Sequence, residues 1–145
     1  MKEFIIDDDG MLMEYAGPGG DVVIPEGVND IFFMAFRGTN KVERVVIPGT
    51  VSEVSHFIFE DKELSEAKFC EGVSLIGVCS FHACKNLEAV YLPSSLKAIK
   101  SYAFAECPSL KKIYYNGTRE DWRRILKDPD WCEDSYGYEM IFTKG

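Results

Sequence analysis

The sequence predicts a solenoid of stacked units, built mainly from parallel β-strands with little helix. The first observation is a row of phenylalanines that stand 22 or 23 residues apart: Phe36, Phe59, Phe81 and Phe104. Smaller apolar residues keep the same interval, as in Val28, Val51, Val73 and Leu96, or in Ile31, Val54, Ile76 and Ile99. A period in this range is typical of repeat proteins, in which each unit buries its apolar side against the next.

Each unit is predicted to begin with a short strand, which is clearest at Val90-Tyr91-Leu92. These residues alternate in direction like a half-buried strand, and Pro93 should end it because proline cannot donate to a β-ladder. The equivalent strands start near Val22, Val45, Ala67, Val90 and Ile113. We therefore predict about four repeats of 22–23 residues in 21–113, within one domain that spans 1–145.

The two ends need caps, because the last apolar layer of a solenoid would otherwise face water. Residues 1–20 are predicted to form an N-terminal cap, with a β-hairpin around the Asp9-Gly10 turn. Residues 114–145 are predicted to form a C-terminal cap of helix and strand. Thr118 and Asp121 have the spacing of a capping box, Trp122, Ile125 and Leu126 give the helix an apolar side, and Asp128-Pro129 should end it. A final strand is expected at 140–142.

Composition excludes several classes of function. The net charge is −8, and residues 1–72 carry 6 basic and 15 acidic side chains, so binding to nucleic acid or to an anionic membrane is not expected. The sequence has no apolar run near the roughly 20 residues that cross a bilayer, and so no membrane insertion is expected. The N-terminus lacks the apolar core of a secretory signal. As written the chain is expected in the cytoplasm; the alternative is a secreted or surface protein whose signal was removed.

Three stretches of the chain resemble BspA-type leucine-rich repeat proteins of bacteria. They are GPGGDVVIPEGV (17–28), NLEAVYLPSSLKAIKSYAFAECPSLKKI (86–113) and YYNGTREDWRRI (114–125). The resemblance implies a right-handed leucine-rich-repeat solenoid with parallel strands. It also implies a role in binding proteins or cells, since known members include adhesive surface proteins. It implies no catalytic residues.

The outward side of the strands is the predicted binding face for a protein partner of unknown identity. Two rows of side chains should point away from the core. One row is Val23, Val46, Lys68, Tyr91 and Tyr114, and the other includes Arg44, Glu66 and Lys112. Tyrosine is enriched where proteins meet. The alternative is that Val and Tyr occur here only because they favour strands.

Two further pairs of residues carry rival hypotheses. Phe32 and Phe33 have no apolar equivalents in later units, so they either lie under the N-terminal hairpin or form a self-association patch; a monomer is expected. Cys84 and Cys107 occupy the same position in successive units, close enough for a redox-responsive pair. The alternative for these two cysteines is a ladder of buried thiols.

The sequence offers no catalytic constellation. His56 and His82 occupy different positions in their units and should not share a site, and no glycine-rich phosphate loop or nucleophile motif is present. The cysteine spacings do not match a zinc motif. We therefore predict a non-catalytic protein without metal or cofactor, with a redox-responsive thiol protein and a structural, self-assembling repeat as the alternatives.

Overall fold

The computed structural model describes residues 3–145, and short strands make up most of its regular structure. In chain order the elements are β1 (Phe4–Ile6), β2 (Met11–Tyr15), β3 (Gly20–Val23), β4 (Asp30–Ile31), β5 (Val42–Ile47), β6 (Glu53–Val54), β7 (Glu66–Phe69), β8 (Leu75–Ile76), β9 (Ala89–Leu92), β10 (Ala98–Ile99), β11 (Lys112–Tyr115), α1 (Arg119–Arg123), β12 (Leu126–Lys127) and β13 (Glu139–Phe142). The predicted parallel solenoid with almost no helix is confirmed.

Two parallel sheets run along opposite sides of the solenoid. The larger has six strands in the order β13-β11-β9-β7-β5-β3, and the smaller has four in the order β12-β10-β8-β6. The coils that begin with β5, β7, β9 and β11 each contribute one strand to the larger sheet and then a two-residue strand to the smaller, whereas β4 of the first coil joins the sheet of β1 and β2. The larger sheet is the one predicted from the repeat, and it includes β13, which pairs in parallel with β11.

The core is the stack of apolar rows that the sequence predicted. The rings of the phenylalanine column (Phe36, Phe59, Phe81 and Phe104) lie 4.7, 5.2 and 5.3 Å apart between successive centroids. All four rings are fully buried. Tyr15 extends the column at the N-terminal end, 5.3 Å from Phe36, and Trp131 extends it at the C-terminal end, 6.3 Å from Phe104. The column thus runs through the whole solenoid, with a larger aromatic residue at each end.

The N-terminal end is a hairpin, as the Asp9-Gly10 signal predicted. Strands β1 and β2 pair antiparallel, and the Asp7 carboxylate accepts hydrogen bonds from the backbone N–H groups of Asp9 and Met11 at 2.9 and 3.0 Å. Gly10 has φ +87°, a conformation that glycine adopts without strain. Strand β2 then pairs in parallel with β4, which attaches the hairpin to the first coil.

At the C-terminal end the capping box forms, but the helix is shorter than predicted. Thr118 Oγ1 accepts from the backbone N–H of Asp121 at 3.1 Å, and the Asp121 carboxylate accepts from the N–H of Thr118 at 3.3 Å. The helix ends at Arg123. Leu126, predicted on an apolar helix side, instead belongs to β12 and is 75% exposed. Its N–H donates to the carbonyl of Lys97 at 3.0 Å, so pairing with β10 replaces the last helical turn.

The turns between the two sheets contain a repeated pair of left-handed residues. In coil after coil, two non-glycine residues four positions apart have φ between +54° and +63°: Phe57 and Asp61, Cys79 and Ala83, Tyr102 and Glu106. Their N–H groups donate to the next coil, as in Cys79 to the Ser101 carbonyl at 3.0 Å. These bonds offset the strain of the left-handed conformation. They also fix the backbone that carries Cys79 and Glu106.

Candidate functional site

The outward side of the larger sheet holds the predicted row of side chains in register. Parallel pairing joins Val23 to Val46, Val46 to Lys68, Lys68 to Tyr91, and Tyr91 to Tyr114. Ile141 on β13 continues this series next to Tyr114, a position that the sequence analysis did not include. We call these six residues the outer row.

Two tyrosines form the aromatic centre of the outer row. The rings of Tyr91 and Tyr114 are 4.5 Å apart between centroids and 3° from parallel. Both side chains are only partly exposed. Burial, followed by the neighbouring Glu66 carboxylate, raises the pKa of Tyr91 to about 12. The Tyr91 hydroxyl is therefore a neutral hydrogen-bond donor at any physiological pH.

A second row of outward side chains beside the outer row has charges of alternating sign. Register pairing aligns this charged row as Asp21, Arg44, Glu66, Ala89, Lys112 and Glu139. Arg44 Nε lies 2.8 Å from Asp21 Oδ1. Neighbouring opposite charges across strands are favourable. The charged row thus offers both donors and acceptors along the same face as the tyrosines.

A cavity of about 330 Å³ opens where the strands of the third to fifth coils end. Its lining includes both tyrosines of the outer row. The lining residues are Lys68, Phe69, Cys70, Glu71, Tyr91, Leu92, Pro93, Tyr114, Asn116 and Thr143. Volumes of this size are at the lower end of ligand pockets. The face therefore has a concave feature adjoining its aromatic centre.

The polar rim of this cavity is organised by Glu71. Its carboxylate accepts from the N–H and hydroxyl of Ser94 at 2.8 and 2.9 Å, from the N–H of Ser95 at 3.1 Å, and from Nδ2 of Asn116 at 3.0 Å. Asn116 in turn accepts from Thr143 at 2.8 Å. Burial raises the pKa of Glu71, but the hydrogen bonds from Ser94, Asn116 and Ser95 outweigh it, and the net shift is downward.

The sequence analysis missed Glu71 and Asn116. Glu71 lies two residues after the end of β7, and Asn116 lies one residue after the end of β11. Both are at the turn where other units have Pro-Glu-Gly, Pro-Gly-Thr or Pro-Ser-Ser. Aligning these turns would have placed Glu71, Ser94 and Asn116 at one edge. Their hydrogen bonds depend on side-chain directions that spacing alone does not give.

Phe32 and Phe33 have different environments. Phe32 packs against the core and its N–H donates to the carbonyl of Leu12 in the hairpin at 2.9 Å. Phe33 is 49% exposed. It lies near another exposed ring, since Phe57 lines the same surface depression of about 430 Å³. The hairpin therefore contacts the first of the two phenylalanines and leaves the second accessible.

Cys84 and Cys107 lie in the interior, where each thiol bonds a carbonyl of the phenylalanine column. Cys84 Sγ donates to the Phe59 carbonyl at 3.0 Å, and Cys107 Sγ donates to the Phe81 carbonyl at 3.2 Å. In the next coil Ser135 Oγ donates to the Phe104 carbonyl at 2.6 Å. Burial is the main cause that raises the pKa of both thiols, that of Cys107 to about 11. All five cysteines in the described chain are free.

His82 lies between two carboxylates, in the turn that leads from β8 of the smaller sheet to β9 of the larger sheet. Its Nδ1 is 3.0 Å from Glu60 Oε2, and its Nε2 is 2.6 Å from Glu106 Oε2. Burial lowers the pKa of His82, but the bonds to Glu106 and Glu60 outweigh it and the net shift is upward. Ligand atoms of Glu60, Cys79 and His82 lie within 4.8 Å of one another. We call these three residues the His82 cluster; sequence spacing indicated no metal ligands here.

Known proteins that are similar to this chain contain leucine-rich repeats. A model of the BspA type leucine rich repeat region matches residues 19–124 in six copies. A leucine-rich repeat protein from Bacteroides ovatus is 27% identical, with a TM-score of 0.62, over 98% of this chain and 36% of that chain. A leucine rich cell surface protein from Faecalibacterium prausnitzii is 19% identical, with a TM-score of 0.48, over 97% of this chain and 52% of that one. No curated protein matches the chain significantly.

These findings define what is established about the chain. It spans 36% and 52% of the lengths of the two solved structures that it matches. Within residues 3–145, no helix is long and apolar enough to cross a membrane. Repeats of this type generally serve as protein-interaction scaffolds and are typically non-catalytic. The chain belongs to the BspA-type leucine-rich repeat family.

Proposed function

We propose that the chain is a non-catalytic protein-interaction module that binds a protein partner through the outer row and the charged row of its larger sheet. The observation that carries the proposal is the Tyr91–Tyr114 stack, partly exposed and adjoining the cavity at Glu71. Large rigid aromatic side chains beside a pocket are the commonest anchors of protein interfaces.

The dimensions of this face suit a protein segment. Six strands spaced about 4.8 Å apart give a row about 24 Å wide. The apolar residues of the outer row lie next to the alternating charges of Arg44, Glu66 and Lys112. An apolar centre with charges at its side resembles the core and rim of interfaces. The charges would fix the orientation of a partner more than its affinity.

The first experiment compares capture by wild-type protein with capture by a Tyr91→Glu/Tyr114→Glu variant, in lysate and culture supernatant of the source cells. A captured partner is then purified and its dissociation constant measured against both proteins. The matched control is Leu126→Glu/Tyr136→Glu, since both of these residues are 75% exposed and neither belongs to the outer row or the charged row. We expect the tyrosine variant to lose at least about 30-fold in affinity, equivalent to about 2 kcal/mol, and the control to keep it.

Full affinity in the tyrosine variant would reject this face as the binding site. Circular dichroism and urea unfolding check that both variants remain folded. A Tyr91→Ala/Tyr114→Ala variant separates loss of contact from the new negative charge, because it removes the rings and adds no charge beside Glu66. Binding lost in the glutamate variant alone would assign the effect to charge repulsion.

Self-association is the second candidate function, and one observation favours it. Phe33, Met34 and Phe57 are 49%, 38% and 45% exposed, and clusters of exposed apolar side chains often mark contact sites. Light scattering over a range of concentrations tests it. A mass that rises with concentration in wild type, and stays that of a monomer in Phe33→Ser, would support self-association. A monomer at every concentration would reject it.

The redox alternative at Cys84 and Cys107 has less support. Thiolate is the reactive form of cysteine, and a raised pKa keeps both groups protonated. Both thiols are fully buried. Titration with a thiol reagent should modify the partly exposed Cys70 and Cys79 first, and Cys84 and Cys107 only after unfolding. Fast native modification of the buried pair would revive the redox hypothesis.

A further inference from the structure

We propose that Glu60, Cys79 and His82 form a binding site for a divalent transition-metal ion, with zinc as the preferred metal. The three side chains come from two successive coils and meet in the turns that lead from the smaller sheet to the larger. One carboxylate, one thiolate and one imidazole are the three ligand types that zinc takes from proteins. This site is independent of the proposed interaction face.

The distances permit coordination after small side-chain movements. Two ligand atoms on one tetrahedral zinc ion lie about 3.4 Å apart, given bonds of about 2.0–2.3 Å. His82 Nδ1 and Glu60 Oε2 are already 3.0 Å apart, and no pair of ligand atoms within the His82 cluster exceeds 4.8 Å. Their side chains are all partly exposed. They can therefore contract around an ion, and water or a partner's ligand can complete its coordination.

Glu106 supplies the outer-shell contact that metal-bound histidines normally have. Its carboxylate holds the other ring nitrogen of His82, Nε2, at 2.6 Å. With the proton on Nε2, the lone pair of Nδ1 faces Glu60. A carboxylate behind the ring is the usual partner of a zinc-bound imidazole, because it fixes the tautomer and raises the basicity of the ligand nitrogen.

The surroundings of the His82 cluster favour a cation. Asp130 Oδ1 is buried and has no hydrogen-bond partner among residues 3–145. Asp130 belongs to the same stack of turns, since its carbonyl accepts from the N–H of Tyr102 at 3.2 Å. The His82 imidazole is the basic group in the hydrogen bonds and ion pairs described for the cluster, and both of its ring nitrogens face carboxylates. A metal ion would add positive charge among these carboxylates.

The sequence pattern explains how these residues meet. Glu60 and His82 are 22 residues apart and so occupy the same position in successive coils. Cys79 precedes His82 by three residues, and the left-handed conformation at Cys79 (φ +55°) bends the intervening turn. Separation by one coil brings Glu60 beside His82. The repeat therefore places together ligands that look unrelated in the linear sequence.

The test is titration of the reduced protein with Co²⁺, followed by displacement with Zn²⁺, monitored by absorption spectroscopy. We expect one Co²⁺ per chain, with a thiolate-to-cobalt charge-transfer band that Zn²⁺ abolishes. Cys79→Ser should lose the band. His82→Gln should weaken binding by more than the roughly 10–100-fold typical of outer-shell losses, and Glu106→Gln should weaken it within that range while keeping the band. Cys70→Ser, which removes a partly exposed thiol of the same coil outside the His82 cluster, is the matched control.

Two results would overturn the proposal. One is failure of the wild-type protein to bind one Co²⁺ or Zn²⁺ per chain, which would identify His82 as a protonated bridge between two carboxylates. The other is a charge-transfer band that survives in Cys79→Ser or disappears in Cys70→Ser. Thermal unfolding provides a second readout, since Zn²⁺ should raise the Tm of wild type and leave that of His82→Gln unchanged. Metal-free circular dichroism verifies that each variant is folded.

Discussion

The phenylalanine column and the outer row belong to the same coils and differ in how the side chain changes from coil to coil. Inside, every central coil supplies the same ring to the column. Outside, the side chain changes along the row from valine to lysine to tyrosine and then to isoleucine. The interior repeats because each coil must fill the same space against its neighbours. The outer face is free of this requirement, and its side chains can therefore differ from coil to coil.

The largest expected effect is in the interior. Phe81→Ala should lower the free energy of unfolding by about 3–5 kcal/mol, since it removes a fully buried ring that stacks on both Phe59 and Phe104. Tyr91→Ala is the matched change in the outer row and should cost about 0.5–1.5 kcal/mol, the value of an aromatic pair. Urea unfolding measures both. Equal losses would mean that the outer row also carries the stability of the solenoid.

The next effect tests how polar groups are satisfied within the column. Cys107→Ala should cost about 1–3 kcal/mol, because the Phe81 carbonyl loses the thiol donor that the structure provides. Cys107→Ser should cost less, since a hydroxyl can donate to the same carbonyl, as Ser135 does to Phe104. Urea unfolding of the two variants provides the comparison. A greater loss in the serine variant would show that the thiol acts only as an apolar filler.

The same contrast explains how much could be predicted from the sequence. Residues that repeat, such as Phe59 and Val90, identify the strands, the core and the outward direction of Tyr91, since their positions follow from period alone. Residues that occur once resist this reasoning. Leu126 fits an apolar helix side, yet β10 leaves an edge that its backbone pairs with. Helix propensity over two turns was too weak to compete with completing a sheet.

The candidate sites divide in the same way. The register of the strands made the outer row predictable, including the neighbouring tyrosines. The Glu71 rim and the contact behind His82 depend on contacts across coils between residues that are not equivalent, namely Glu71 with Asn116 and His82 with Glu106. Chemical type and spacing alone gave no reason to pair them. Only the stacking of the coils in three dimensions brings these side chains together.

A smaller effect is expected at the C-terminal end, where the periodic pattern stops. Thr118→Ala should cost about 0.5–2 kcal/mol, because it removes the hydroxyl that accepts from the Asp121 N–H at the start of α1. Thr118→Ser keeps the hydroxyl and serves as the control. Urea unfolding compares the two. If Thr118→Ala unfolds like wild type, α1 contributes little to covering the last coil, and Trp131 alone would close the core.

The smallest effect is expected on the outer surface, at Glu71. Its side chain is exposed, and charged hydrogen bonds in such positions contribute at most about 1 kcal/mol. The pKa of Glu71 is lower in the folded protein than its ordinary value of 4.5. Its ionised form therefore stabilises the fold above that value, and this contribution is lost as the pH falls through the lowered pKa. Glu71→Gln should be slightly less stable than wild type at pH 7, and the difference should shrink below pH 4.5.

Urea midpoints of wild type and Glu71→Gln, measured at pH 7 and in steps below pH 4.5, provide this comparison. Glu63→Gln is the control, because Glu63 is exposed and has no hydrogen bond among those described for its side chain. A difference that stays constant with pH would mean that the shape of the Ser94–Asn116 network matters and its charge does not. A difference that disappears on acidification would assign the stabilisation to the carboxylate. The rim of the cavity would then be held in place by one ionised group, while the coils below it are held by buried rings.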